Sequence, residues 1–195
     1  MSSNKRSRQT SSRVLKGSPS LHRPPKLKHT ISLDVNGKVH SVEVEQRWTL
    51  AEVLREELRL TGTKVGCNRA ECGVCTVSMD DTPVFSCTML AVEAEGRRIE
   101  TIESLSGPQG LHPLQDAFIK FDAVQCGFCT PAILMSLKVL LDFNPSPSKE
   151  DVKRAIEGIY CRCGAYPNII EAALNAASVQ RSCAGHGQTR APTSR

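Results

Sequence analysis

Nowhere in the 195 residues does an apolar run approach the roughly 20 positions that a membrane-spanning helix needs. Insertion into a bilayer is therefore excluded. Aromatic residues make up only 4%, so a core must be built from aliphatic side chains. Glycine and proline number 13 and 11 and are dispersed, which excludes a fibrous or wholly low-complexity chain. Acids are missing from residues 1–28 and from 181–195. No two arginines are adjacent before Arg97, and no apolar run of the secretory kind follows the basic segment, so no export signal is visible. Also missing are a Walker loop, a Gly-x-Gly-x-x-Gly and any convincing nucleophile–base pairing. Bond chemistry by this chain alone is not expected.

The net charge of +5 is a poor guide to partners. Eight Lys and Arg lie in residues 1–28 and three in 181–195, which leaves 14 basic and 20 acidic residues in 29–180. An acidic body whose aromatics are not interleaved with basic residues speaks against nucleic-acid binding. Residues 1–28, rich in Ser, Arg, Lys and Pro, cannot bury enough surface to offset the entropy of ordering. They are expected to form a disordered leader, and 181–195 a disordered tail.

Between them two patterns follow one another. Ile31, Leu33 and Val35 alternate with polar residues, Asn36-Gly37 supplies a type I′ turn, and Val42 and Val44 alternate again. Thr49 and Glu52 form a capping box ahead of Leu50, Val53, Leu54 and Leu58, predicting a helix of about three turns. Strands are expected at Thr76–Met79 and Val84–Met89, and another that includes Ile99 and Ile102. After Gly107-Pro108 the period becomes helical. One helix starts at Pro113, a second at an N-cap Thr130 followed by Pro131, a third at Ser148 with Asp151, and a fourth near Pro167. The fold class is α+β: a small domain over 29–104, then an all-α four-helix domain over 108–180.

Nine cysteines carry the chemistry. Without a secretory signal thiols stay reduced, and closely spaced cysteines then suit a metal better than disulfides. Cys67, Cys72 and Cys75 give C-x4-C-x2-C, with Cys87 eleven residues on. That is the spacing of a plant-type [2Fe–2S] cluster, three ligands on one loop and a fourth nearby. Structural zinc more often uses two close hooks. Gly66 and Gly73 allow the backbone to wrap closely. Cys126 and Cys129 precede a helix start, and Cys161 and Cys163 lie between two helices. Spacing alone leaves this second set open to Zn²⁺ or an iron–sulfur cluster. Cys183, with His186 beside it in the tail, has no activating neighbour and reads as a free thiol.

The segments Gly66-Cys67, Ala70-Glu71-Cys72-Gly73-Val74-Cys75-Thr76-Val77, Gly110-Leu111-His112-Pro113, Gln125-Cys126-Gly127-Phe128-Cys129-Thr130-Pro131 and Cys161-Arg162-Cys163-Gly164-Ala165-Tyr166 occur in collinear order. In them the chain resembles the iron–sulfur subunit of molybdenum hydroxylases, the xanthine oxidase, aldehyde oxidoreductase and carbon monoxide dehydrogenase family. The resemblance implies a ferredoxin-like (β-grasp) first domain and a [2Fe–2S] cluster on each cysteine set. It implies that the cluster on Cys126, Cys129, Cys161 and Cys163 lies nearest the molybdopterin of a large partner subunit. The cluster on Cys67, Cys72, Cys75 and Cys87 would be the outer one. Gln125 matches a position whose side chain hydrogen-bonds the pterin, and Cys163 a ligand that lies against it. A flavin (FAD) subunit or a cytochrome would take the electrons, and the large subunit would choose among aldehyde, purine, N-heterocycle and carbon monoxide substrates. The missing export signal points to the cytoplasm, although some relatives of this kind are periplasmic. Three positions depart from the pattern: Ala70 and Ala132 where glycine is common, and Ile159 where asparagine is usual.

Overall fold

The structure, a computed structural model, describes residues 28–107 and 110–184. All of the expected leader except Lys28, and the tail from residue 185 with His186, lie outside the described residues.

Alternation builds the first half. Strand β1 (Lys28–Val35) and strand β2 (Lys38–Glu45) pair antiparallel with Val35 opposite Lys38. Asn36 and Gly37 between them take φ of 55° and 75°, the two left-handed residues a type I′ turn requires. Ile31, Leu33, Val35, Val42 and Val44 thereby share one buried face. Asn36 also reaches across the fold, accepting from the Thr101 N–H at 2.8 Å and donating to Thr101 Oγ1 at 2.9 Å.

The expected capping box is present: Glu52 N–H donates to Thr49 Oγ1, and Thr49 N–H to the Glu52 carboxylate. The helix it starts is shorter than the pattern predicts. Helix α1 (Leu50–Glu52) passes into a π-helical turn over Val53–Glu57, closed by Leu58 N–H on the Val53 carbonyl. Arg55 leans out to the carbonyls of Thr61 and Thr63, 3.2 and 2.6 Å away, and Arg59 turns left-handed at φ 59°. The chain leaves the helix there to begin the first cysteine loop.

Strand β3 (Thr76–Met79) and strand β4 (Thr82–Phe85) form a second hairpin through Asp80 and Asp81, both at positive φ. The strand expected at Val84–Met89 thus starts earlier and ends at Phe85. Ser86 turns the chain instead, its N–H and hydroxyl both donating to the Cys75 carbonyl. Strand β5 (Arg98–Glu100) is shorter than expected, and Ile102 opens a 3-10 turn rather than extending it. The sheet order is β2-β1-β5-β3-β4, with β1 and β5 parallel and the other pairs antiparallel. One core lies beneath it, with Leu33, Val44, Leu50, Val53, Leu54, Val77 and Ile99 fully covered.

Helices α2 (Pro113–Lys120), α3 (Thr130–Phe143), α4 (Lys149–Ile156) and α5 (Tyr166–Ala184) follow. The α3 N-cap is Cys129 rather than Thr130, which is itself the first helical residue with Pro131 second. Ser148 and Asp151 exchange both capping-box bonds. Helix α5 runs on through Ala184, past the point where the tail was expected, and so carries Cys183 in its backbone. A second core gathers Leu114, Phe118, Ile133, Leu137, Val152 and Ile169. It also takes in Val74 and packs on Cys72 of the first cysteine loop. A half-buried ion pair joins the halves: Lys138 Nζ stands 2.8 Å from Glu100 Oε2 and 2.7 Å from Asp142 Oδ2.

His112 caps α2 through its ring, Nδ1 accepting the Leu114 N–H at 3.2 Å while Nε2 lies 3.4 Å from Gln180 Nε2. Burial holds its pKa below the ordinary imidazole value; Asp142 and Asp116 pull the other way and Lys138 adds to the depression. The unfolded chain therefore takes the proton first. This contribution to stability is present above about pH 6.5 and falls as the pH drops below it. His112→Asn keeps a capping acceptor without the titration. Its thermal midpoint is expected to fall less than that of the wild type between about pH 7 and 5; parallel slopes would remove His112 from the account.

Candidate metal centre

The first cysteine loop is shaped by backbone donors. Cys67 N–H donates to Cys72 Sγ, and the N–H groups of Glu71 and Cys72 donate to Cys67 Sγ, each at 3.3 Å. The backbone amides of Cys72, Arg69 and Glu71, the one on Cys72 foremost, draw the Cys67 thiol down to about 7. Asn68 and Ala70 sit at φ 54° and 59°. Ala70 thus occupies the left-handed conformation for which glycine would be the easier residue, a strain of about 1 kcal/mol. Cys75 and Cys87 are buried and share a small apolar pocket with Ala51, Val65 and Phe85. Burial, with Cys87 hydrogen-bonded beside it, pushes the Cys75 thiol up to about 12. Gly66 stands close: a Cβ there would come within 3.0 Å of Cys72 Sγ.

The second set is built on helix ends. Cys126 is exposed, Gly127 turns at φ 79°, and Cys129 is buried where α3 begins. Cys129 and Cys161 are both buried in the helical core. Burial pushes Cys129 up to about 12. Burial acts on Cys161 too, but N–H donors from Ala165, Cys163 and Gly164 and the Cys129 thiol outweigh it and hold Cys161 below its usual value. Cys163 is half-buried against the helical core. Gln125, next to Cys126, is exposed.

Two supports were not read from the sequence. The Tyr166 hydroxyl accepts the Cys161 N–H at 2.7 Å and donates to the Ile159 carbonyl at 3.1 Å, closing the turn that presents Cys161. Tyr166 sits in the motif Cys-x-Cys-Gly-Ala-Tyr, whose regularity was its only signal. The other is a direct bond between the two sets: Tyr160 N–H donates to the Cys72 carbonyl at 2.9 Å. The departing Ile159 is buried in the helical core, and Ala132 is buried in α3.

The donors fit a dinuclear cluster. Cys67 and Cys72 each accept the other's backbone N–H at sulfur, Cys75 and Cys87 share one buried pocket, and Cys129 and Cys161 are both buried in the helical core. Thiolates arranged in twos suit a [2Fe–2S] unit, each iron taking two, and the free amides aimed at sulfur suit its negative charge.

Comparison with known proteins agrees. Residues 33–104 match the 2Fe-2S iron-sulfur cluster binding domain and residues 101–174 the [2Fe-2S] binding domain. The chain is 49% identical over 146 residues to the nicotine 6-hydroxylase small subunit of Paenarthrobacter nicotinovorans, covering 75% of this chain and 88% of that one. It is 41% identical over 167 residues to the aldehyde oxidoreductase iron-sulfur-binding subunit PaoA of Escherichia coli (strain K12), covering 78% of this chain and 73% of that one. Among solved structures, quinoline 2-oxidoreductase from Pseudomonas putida 86 superposes with a TM-score of 0.76 at 44% identity, covering 80% of this chain and 97% of the matched chain. Among the described residues no helix is long and apolar enough to cross a membrane. With two cysteine sets of this geometry and relatives of this kind, the chain belongs to the family of [2Fe–2S] iron–sulfur subunits of molybdenum hydroxylases, the non-catalytic electron-transfer component of an oxidoreductase.

Proposed function

We propose that this subunit relays single electrons from the molybdopterin centre of a large partner subunit, through two [2Fe–2S] clusters, to a flavin subunit or an external acceptor. Cys67, Cys72, Cys75 and Cys87 hold the outer cluster; Cys126, Cys129, Cys161 and Cys163 hold the one nearer the pterin. In this reading residues 29–104 form a ferredoxin-like domain and 108–180 a four-helix cluster-binding domain. Gln125 and Cys163 contact the pterin of the partner, a role that suits the exposure of Gln125 beside the exposed Cys126.

The observation that carries the reading is the hydrogen bond from Tyr160 N–H to the Cys72 carbonyl. It joins the residue before Cys161 to a ligand of the other set, so one short run of covalent bonds and a single hydrogen bond links the two. A [2Fe–2S] cluster, when bound, supplies one-electron redox chemistry, with plant-type clusters near about −400 mV as a reference. The chain's own part is to hold the thiolates, to aim N–H donors at Cys67 and Cys161 and thereby raise the potential, and to bury Cys75, Cys87 and Cys129 away from water.

Metal and sulfide analysis of the complex purified anaerobically tests this. About four irons and four sulfides per chain are expected, with two distinguishable reduced EPR signals and a molybdenum-containing partner. Zinc without sulfide or colour would make the chain a structural adaptor instead.

A further inference from the structure

The first cysteine loop is seated partly on the helical half. Val74 lies in the helical core and Cys72 packs against it. Gly73, at φ 66°, is so close to the segment before Cys161 that a Cβ would stand 2.1 Å from the Gly158 oxygen and 3.0 Å from Ile159 Cα. Tyr160 N–H holds the Cys72 carbonyl at 2.9 Å. Gly158 itself faces Phe85: a Cβ on Gly158 would meet Phe85 Cζ at 3.5 Å, and Phe85 packs on the buried pair Cys75 and Cys87. Three consecutive residues therefore touch the backbone between two ligands of the first set and the aromatic wall behind the other two.

We propose that Gly158, Ile159 and Tyr160 are positioning residues for the first cluster, although they lie in the half of the chain that carries the second. Gly158 is the member through which this can be tested, because a Cβ there would already touch Phe85 Cζ at 3.5 Å, so a branched side chain would press on the ring that packs on Cys75 and Cys87. Seating the first cluster then requires the helical half to be folded against it. Because the ligand loop and the Cys161 segment share one seam, their relative placement is fixed at the same contact that links them. The inference rests on the relay reading only in taking both cysteine sets as cluster ligands.

The test compares Gly158→Ala and Gly158→Val in the whole complex, purified anaerobically, by EPR of each reduced cluster and by iron content. In Gly158→Ala the added methyl sits at ordinary contact distance from Phe85, and both signals are expected to match the wild type. In Gly158→Val the extra methyls press on the Phe85 ring. The first cluster's g-values are expected to shift, with loss of up to about two irons per chain, while the second cluster's signal stays unchanged. Equal loss of both occupancies without a shift of the first signature would be a general loss of stability and overturns the proposal. A change in the second signal alone, or in neither, overturns the proposal. Should Gly158→Val fail to assemble, Gly158→Val with Phe85→Leu must restore assembly and the first signal, and failure of that rescue also overturns it. A wild-type complex lacking two iron–sulfur signals would sink the relay reading as well, an outcome distinct from either.

Discussion

Replacing Cys163 by serine is expected to abolish the second cluster's EPR signal while leaving the first, and to reduce the iron per chain to about half. Serine keeps the size of the side chain but not the soft, readily ionised sulfur that iron–sulfur clusters require. The first set should be spared because Cys75 and Cys87 sit in a separate apolar pocket with Ala51, Val65 and Phe85, away from Cys163. Turnover of the complex with an external acceptor should drop by more than the roughly 10–100-fold that loss of a mere supporting partner costs a metal site. Single-turnover reduction from the molybdenum partner is the decisive measurement. Full electron transfer in the Cys163→Ser complex would show that the cluster on the helical half is not the one through which electrons enter.

The second large effect is expected at Gly73. Its φ of 66° is costly for any residue with a Cβ, and the new atom would overlap the Gly158 carbonyl oxygen at 2.1 Å. The left-handed strain is about 1–2 kcal/mol and the overpacking about 1–3 kcal/mol. Gly73→Ala should therefore lower stability by roughly 2–5 kcal/mol, read from the urea midpoint, and empty the first cluster before the second. Gly96→Ala supplies the comparison, because Gly96 has a similar φ of 72° with nothing within 4 Å of its would-be Cβ. It should cost only the strain part. Equal losses in the two variants would mean that the contact with Gly158 contributes nothing.

The features legible before folding were those whose signal is local. Asn36-Gly37 specifies a turn because two adjacent residues tolerate positive φ. Thr49 with Glu52 and Ser148 with Asp151 specify helix starts because both partners of each bond lie within one turn. Cysteine spacing works the same way: three thiolates on nine residues can only wrap around something small. Where such reading failed, a distant partner decided. Asp80 and Asp81 take positive φ because Met79 and Thr82 must pair, and the strand after them ends at Phe85 because Ser86 is drawn to the Cys75 carbonyl. The helix after Thr49 opens into a π turn where Arg55 reaches for Thr61 and Thr63. Thr130 looked like an N-cap by residue type, yet Cys129 holds that place at the turn through Gly127.

The residues themselves determine that this chain carries two groups of closely spaced cysteines, a strand-rich half and a helical half, since cysteine spacing and hydrophobic period are properties of short stretches. Tertiary structure alone decides how the sets face each other. The Tyr160 bond to Cys72, the closure of Gly73 on Gly158 and the Tyr166 hydroxyl beneath Cys161 join groups that no periodicity connects. Such contacts exist only once burial of two apolar cores has brought the halves together, and they carry the link through which we propose that the subunit passes electrons.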